Sequence, residues 1–228
     1  MSATAKQLGQ RLEQQTGEIK TPDLYEAIAE DLYRQGYSIR PAQLPHQLTF
    51  DLLTQLQSIP EHEFEQAGIG RETDLTINQF VRKDEIAWIT GESMAGQQWL
   101  NWAAGLQQHL NRRLFLGLFS FESHMAHYRP GDFYKRHYDA FKGEANRVLS
   151  IVVYLNPDWQ LDEGGEMVLY LNDDDQQGIK VTPGFATVVA FLSEEFPHEV
   201  LPAKRDRFSV AGWFRVNTSI GDRVDPPS

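Results

Sequence analysis

The sequence predicts an α+β fold, a double-sheet jelly roll or barrel of short strands with helices packed on one face. Two features carry that expectation. The first hundred or so residues place apolar side chains at helical spacing, and from about Ser120 the texture changes to short runs rich in Val, Ile, Tyr and Phe, separated by Gly, Pro, Asn and Asp. Helices first and strands afterwards is the order of a sheet protein whose helices are segregated to one side. At 228 residues the chain can bury one sizeable core.

The first helix is expected in "TPDLYEAIAEDLYRQGYS", with Thr21 as N-cap, Pro22 at the first helical position, Leu24, Ile28 and Leu32 at four-residue spacing, and an end near Gly36. "HQLTFDLLTQLQSI" (46–59) repeats the pattern, and "GQQWLNWAAGLQQHLNRRLF" (96–115) is the third and longest. Each needs a partner surface for its apolar stripe. Between the second and third lies "AGIGRETDLTINQFVRKDEIAWITGE", where "EIAWI" reads as a hairpin strand and the segment near 66–90 as a lid or a surface connection. Eight strands are then expected in "FESHMAHY", "FYKRHYDAF", "RVLSIVVYL", "GEMVLYL", "GIKVTP", "ATVVAFL", "HEVLPA" and "RFSVAGWFRV". The division is one domain over 1–228, with 1–118 mainly helical support and 119–216 the β core.

Composition removes several function classes. There is no cysteine, so disulfides, thiolate ligands, iron–sulfur clusters and a Cys nucleophile are excluded, and any metal site must use His, Asp, Glu or neutral oxygens. A formal charge of −11 argues against a general phosphate-backbone binder, so no nucleic-acid partner is expected. No apolar run approaches the roughly 20 residues of a membrane span and the first twenty residues lack the apolar stretch of a secretory signal, so the expectation is a cytoplasmic protein with no membrane partner. The acidic runs at Asp173, Asp174 and Asp175 and at Glu194 and Glu195 read as solvated loops.

The chemistry concentrates in the histidines. His46, His62 and His109 lie among polar helix residues and read as surface. His124 and His127 stand three apart on a strand, hence on opposite faces; His124 is expected to be packed or hydrogen-bonded inside. His137 and Asp139 are two apart, which on a strand puts both on one face about 7 Å apart. Alone, such a pair is a metal hook or an ordinary polar pair. In a two-sheet barrel a late strand can approach an early one, which would let His198 of "PHEVLPA" complete a His-Asp-His set. Two imidazoles and one carboxylate leave three positions of an octahedron open, the geometry of non-haem Fe(II) oxygenases. Arg207 follows nine residues after His198 and reads either as a surface charge or as an anchor for a keto acid's distal carboxylate.

The motifs "YRPGDFYKRHYD", "RVLSIVVYLNPDW", "EGGEMVLY", "PHEVLPA" and "RFSVAGWF" resemble those of the Fe(II)/2-oxoglutarate-dependent dioxygenases, and within them the prolyl hydroxylase subfamily, the bacterial relatives of the hypoxia-inducible-factor prolyl hydroxylases. The likeness is strongest over 82–214. It implies a double-stranded β-helix core, Fe(II), 2-oxoglutarate and dioxygen as cosubstrates with ascorbate allowed as a reductant, and succinate and CO2 as products. It implies His137, Asp139 and His198 as iron ligands, Arg207, Tyr128 and Tyr154 around 2-oxoglutarate, and Trp213, Arg147, Arg82 and Asp84 on the substrate side, with Arg147 and Asp84 as an ion pair tying the lid. Met167 also matches a pocket position, but core is the better reading. The substrate implied is a prolyl residue of a protein or peptide, hydroxylated at C4, with elongation factor Tu as one protein the bacterial relatives suggest. Competing readings are hydroxylation of a free amino acid or small metabolite, nucleic-acid demethylation, which the acidic balance opposes, and a noncatalytic β-sandwich module with a vestigial metal site.

Overall fold

A computed structural model describes residues 23–66, 81–140 and 146–217. Thr21 and Pro22, most of the expected lid (67–80) and Phe141 lie outside those residues. Helix α1 (Leu24–Gln35) has Asp23 at its N-cap and ends on Gly36, whose φ of 78° is left-handed and whose N–H bonds Leu32 O. A Cβ there would also press on the Phe196 ring at 2.9 Å, so glycine serves both the cap and the packing. Helix α2 (His46–Ser58) falls where the periodicity puts it. Helix α3 (Met94–Leu114) starts two residues before the expected position, because the Ser93 hydroxyl accepts the Gly96 N–H at 3.0 Å.

The eight expected strands all form: β4 (Leu118–Tyr128), β5 (Tyr134–His137), β6 (Arg147–Tyr154), β7 (Met167–Leu169), β8 (Ile179–Val181), β9 (Val188–Leu192), β10 (His198–Val200) and β11 (Arg207–Val216). They divide four and four. One sheet contains β9-β6-β11-β4 and the other is β5-β10-β7-β8, antiparallel throughout. This is the jelly-roll double-stranded β-helix. Three short strands extend the larger sheet: β1 (Tyr37–Arg40) beside β9, and β3 (Glu85–Trp88) with the two-residue β2 (Glu65–Gln66) beside β4. β2 and β3 pair with each other, Glu65 opposite Ile86 and Gln66 opposite Glu85.

Strand alternation separates two chemistries on the larger sheet. Leu149, Ile151 and Val153 of β6, Val210 and Phe214 of β11, and Val188 and Ala190 of β9 face the helices. There they join Ile28, Leu52, Trp99, Leu106 and Leu110 in one buried cluster. Trp99 donates its indole N–H to Ser123 Oγ at 3.0 Å, which satisfies its one polar atom. The intervening residues face the smaller sheet: Ser150, Val152 and Tyr154 of β6, Arg207, Ser209, Ala211 and Trp213 of β11, and His124, Ala126 and Tyr128 of β4. Tyr154 packs there with Met167, Leu169, Val181, Val189 and Phe191, so Met167 is core, as its residue type suggests.

Candidate active site

The two sheets bring distant residues together between them. His198 opens β10 and pairs directly with His137 at the end of β5. The expectation that His137 and Asp139 share a strand face needs correction: β5 stops at His137, and Asp139 sits in the bend that follows. That bend, rather than strand parity, folds the carboxylate back to the imidazole. Asp139 Oδ1 lies 3.7 Å from His137 Nε2 and Oδ2 lies 3.7 Å from His198 Nε2. One ligand atom from each of the three residues falls within 4.8 Å of the others, the one such cluster of three or more among the described residues.

Both imidazoles are oriented for ligation. His137 Nδ1 donates to Lys135 O at 2.8 Å and His198 Nδ1 to Phe196 O at 3.2 Å, which fixes the tautomer of each neutral ring with Nε2 as the nitrogen left for a ligand bond. Burial pushes the His198 imidazole down to about 4 against the opposing pull of Asp139, which keeps it neutral at neutral pH. Burial would raise the Asp139 carboxyl, but His198, His137 and the Ser150 hydroxyl outweigh it and hold the group well below the usual carboxylate range. Ser150 donates to Asp139 Oδ2 at 2.6 Å and is itself 2.9 Å from Ser193 Oγ. Tyr134 stacks on His137 with centroids 3.5 Å apart, and the Arg82 guanidinium lies 4.7 Å over Tyr134.

Deeper in the same space Arg207 is 1% exposed. Its Nε donates to Gly165 O at 2.9 Å and its Nη1 to Ser209 Oγ at 3.4 Å, while its guanidinium lies 4.8 Å from the Tyr128 ring centre and 4.9 Å from that of Tyr154. Gly165 must lack a side chain to come this close: at φ 72° a Cβ would meet Ala203 at 2.9 Å and Arg207 Cδ at 3.3 Å.

A family model described as the 2OG-Fe(II) oxygenase superfamily matches residues 123–215. A Pseudomonas putida prolyl-4-hydroxylase matches at 37% identity over 85% of this chain and 99% of its own, with a TM-score of 0.75. The chain belongs to the 2OG-Fe(II) oxygenase superfamily. Within it the likeness is to the prolyl hydroxylase type. A prolyl hydroxylase from Trichoplax adhaerens, solved with a hypoxia-inducible-factor peptide fragment, matches at 24% identity over 94% of each chain with a TM-score of 0.73. A viral collagen prolyl hydroxylase from Paramecium bursaria Chlorella virus-1 matches at 17% over 81% of this chain and 98% of its own, with a TM-score of 0.57. At those identities the last two speak for the fold alone.

An oxygenase of this superfamily uses Fe(II), 2-oxoglutarate and dioxygen, and the residues present fit those groups. A buried guanidinium is costly without a counter-charge. Among the described residues no carboxylate lies within ion-pair distance of Arg207, so the fold has built a cation that lacks its anion. The Tyr154 hydroxyl beside it is buried with no acceptor for its proton, and burial raises its pKa against the charge and hydrogen bonding of Arg207, so it remains an O–H donor. A buried cation beside a buried hydroxyl donor is an arrangement that an anion would complete.

The other residues singled out in the sequence fall as follows. Tyr128 and Trp213 lie on the site-facing side of the larger sheet. The expected Arg147–Asp84 pair does not form. Asp84 is held bidentately by Arg82, at 2.6 and 2.8 Å, because the two stand two residues apart just ahead of β3. Arg147 instead pairs with Glu122 at 2.9 Å and stacks on Trp213 at 3.9 Å. His46 and His62 are exposed, and His124 is buried inside as expected. His127 bonds Asp206 at 2.7 Å. His109 is not a free surface residue: it is half-buried and meets Glu26 at 2.9 Å, tying α3 to α1. Tyr134 stacks on His137 and so supports a candidate ligand. Sequence reasoning did not reach the bond of Ser150 to Asp139, the close approach of Gly165 to Arg207 or the stack of Tyr134 on His137. The signals available were parity with Tyr154 for Ser150 and the double glycine for Gly165. No helix among the described residues is long and apolar enough to cross a membrane.

Proposed function

We propose that this chain hydroxylates a prolyl residue of a peptide or protein, at C4, as one dioxygenase domain. His137, Asp139 and His198 would hold Fe(II), and Arg207, Tyr154 and Tyr128 would hold 2-oxoglutarate. The observation that supports this reading is a complete His-Asp-His cluster together with a buried Arg207 that, among the described residues, has no carboxylate partner. When bound, the iron, cosubstrate and dioxygen supply the oxidising chemistry, placing one oxygen atom on substrate and one in succinate as CO2 leaves.

The chain's own work is ligation, orientation and exclusion of water. The carbonyls of Lys135 and Phe196 fix the tautomers of His137 and His198, and Ser150 fixes the carboxylate of Asp139. Gly165 and Ser209 aim the Arg207 fork, and the Tyr154 hydroxyl is placed to donate to the same carboxylate. Asp139 is itself informative, since a carboxylate in that position leaves no room for a halide ligand and favours hydroxylation over halogenation.

Prolyl substrate is supported by the 37% identical prolyl-4-hydroxylase and by the aromatic surface around Trp213. Arg82 and Asp84, at the base of the lid region, and Arg147 with Trp213 border the substrate side. The test is mass spectrometry of cell extract and of proline-containing peptides after incubation with Fe(II), 2-oxoglutarate and air, with purified elongation factor Tu as one protein assayed. One oxygen added to a proline, in step with succinate, is the expected result. Consumption of 2-oxoglutarate with oxygen added only to a free amino acid or metabolite would replace this reading with its rival. No turnover with any substrate would favour the noncatalytic one.

A further inference from the structure

His124 has a place and a chemistry that ligand and cosubstrate binding do not use. It is 1% exposed on β4, with its side chain on the face that also presents Tyr128. Its Nδ1 lies 3.3 Å from Met125 O, and since a carbonyl can only accept, the proton is on Nδ1 and Nε2 carries a lone pair. That Nε2 is buried and has no hydrogen-bond partner. Burial also pushes the group down to about 4, so the lone pair is present at neutral pH.

The ring is one member of a row that crosses four strands. The Arg147 guanidinium lies 3.9 Å over Trp213, Trp213 is 5.4 Å from His124, and His124 is 5.5 Å from Trp88, edge to face. The row is buried at Trp213 and His124 and 52% exposed at Trp88, on the short outer strand β3. It borders the metal cluster: Trp213 is paired in register with Ser150, whose hydroxyl bonds Asp139. Aromatic faces suit the apolar ring of proline and an extended chain. A lone acceptor in their midst suits a donor on that chain, and leaving it unmatched is unfavourable.

We propose that His124 determines substrate specificity by accepting, through Nε2, a main-chain N–H of the bound peptide. This rests on the prolyl-peptide reading above. Proline has no amide hydrogen, so the donor belongs to a neighbouring residue. From β4 to Ser150 on β6 is two strand spacings, about 10 Å, so the donor lies within about three residues of the target proline in an extended chain. Trp88, half-exposed at the outer end of the row, marks the side from which the chain would approach.

The test uses iron-loaded enzyme and a set of peptides, each N-methylated at one position within three residues of the target proline. It also measures peptide Kd on the Mn(II) form. For wild type, methylation at one position should raise KM and Kd about five- to tenfold. In His124→Phe the unmethylated peptide should already show that loss, more in KM than in kcat, and the same methylation should add nothing. His124→Gln, which keeps an acceptor, should recover part of the affinity. If methylation weakens wild type and His124→Phe equally at every position, or at none, His124 has only a packing role and the proposal is overturned. A wild-type enzyme that oxidises no prolyl peptide overturns the parent reading and this one with it, whereas hydroxylation indifferent to His124 overturns this one alone.

Discussion

Arg207 shows how one residue states what it is for. Its cation is buried with hydrogen bonds to Gly165 O and Ser209 Oγ and, among the described residues, no carboxylate, an arrangement that an anion would make favourable. Arg207→Gln should therefore raise the KM for 2-oxoglutarate roughly 10- to 100-fold, the range of a lost charge-assisted contact. Differential scanning of the ligand-free variant should show a protein at least as stable as wild type, because the uncompensated charge is gone, but one that 2-oxoglutarate no longer stabilises. His124 makes a second prediction at this scale. In the fold burial holds it down to about 4, with Arg82 and Arg147 acting the same way and Asp84 and the Met125 carbonyl opposing, against 6.5 for the free group. Between those values the unfolded chain takes up a proton that the native state refuses. Stability is therefore complete above the unfolded pKa and falls as pH drops toward the folded one, by on the order of 3 kcal/mol for this group. Urea titrations at pH 7.5 and pH 5 should show a smaller loss on acidification in His124→Phe than in wild type; equal losses would contradict the assignment.

Elements explain why the site forms and why only part of it could be read in advance. Strand alternation puts Leu149, Ile151 and Val153 against the helices and Ser150 and Tyr154 toward the cluster, so the period-two pattern of "RVLSIVVY" encodes both core and site. His137, Asp139, His198 and Arg207 were legible as residue types, but the bend after β5 that brings Asp139 to the histidines was not, because strand parity carries no signal for it. The partners of Arg147 and Asp84 were not, because both residues had cations or carboxylates within reach and only the three-dimensional register chooses among them. β1 was missed because "YSIR" is too short to show alternation and forms by pairing with the edge of β9. The helices are scaffold in this account. Leu106→Ala on α3, at a fully buried position, should cost roughly 2–5 kcal/mol in chemical denaturation while leaving the KM for 2-oxoglutarate unchanged. A shifted KM would show that α3 reaches the site.

For the whole molecule, the metal cluster closes a circuit between the two sheets. His137 and His198 come from the smaller sheet, while Ser150, which holds Asp139, comes from the larger. An ion bound there stabilises only the folded chain. Mn(II) at about a hundred times its Kd should add close to 3 kcal/mol, a rise in Tm of roughly 5–10 °C for a chain of this size, and a chelator should reverse it. His198→Ala should show neither change. The most direct measurement of the central claim, that these residues form one iron and 2-oxoglutarate site, is the visible spectrum of the purified protein under strict anaerobiosis. Fe(II) and 2-oxoglutarate together should give a charge-transfer band in wild type, weakened at a given 2-oxoglutarate concentration by Arg207→Gln and absent in His137→Ala and His198→Ala. A wild type with no band, or a band that survives loss of either histidine, would contradict it.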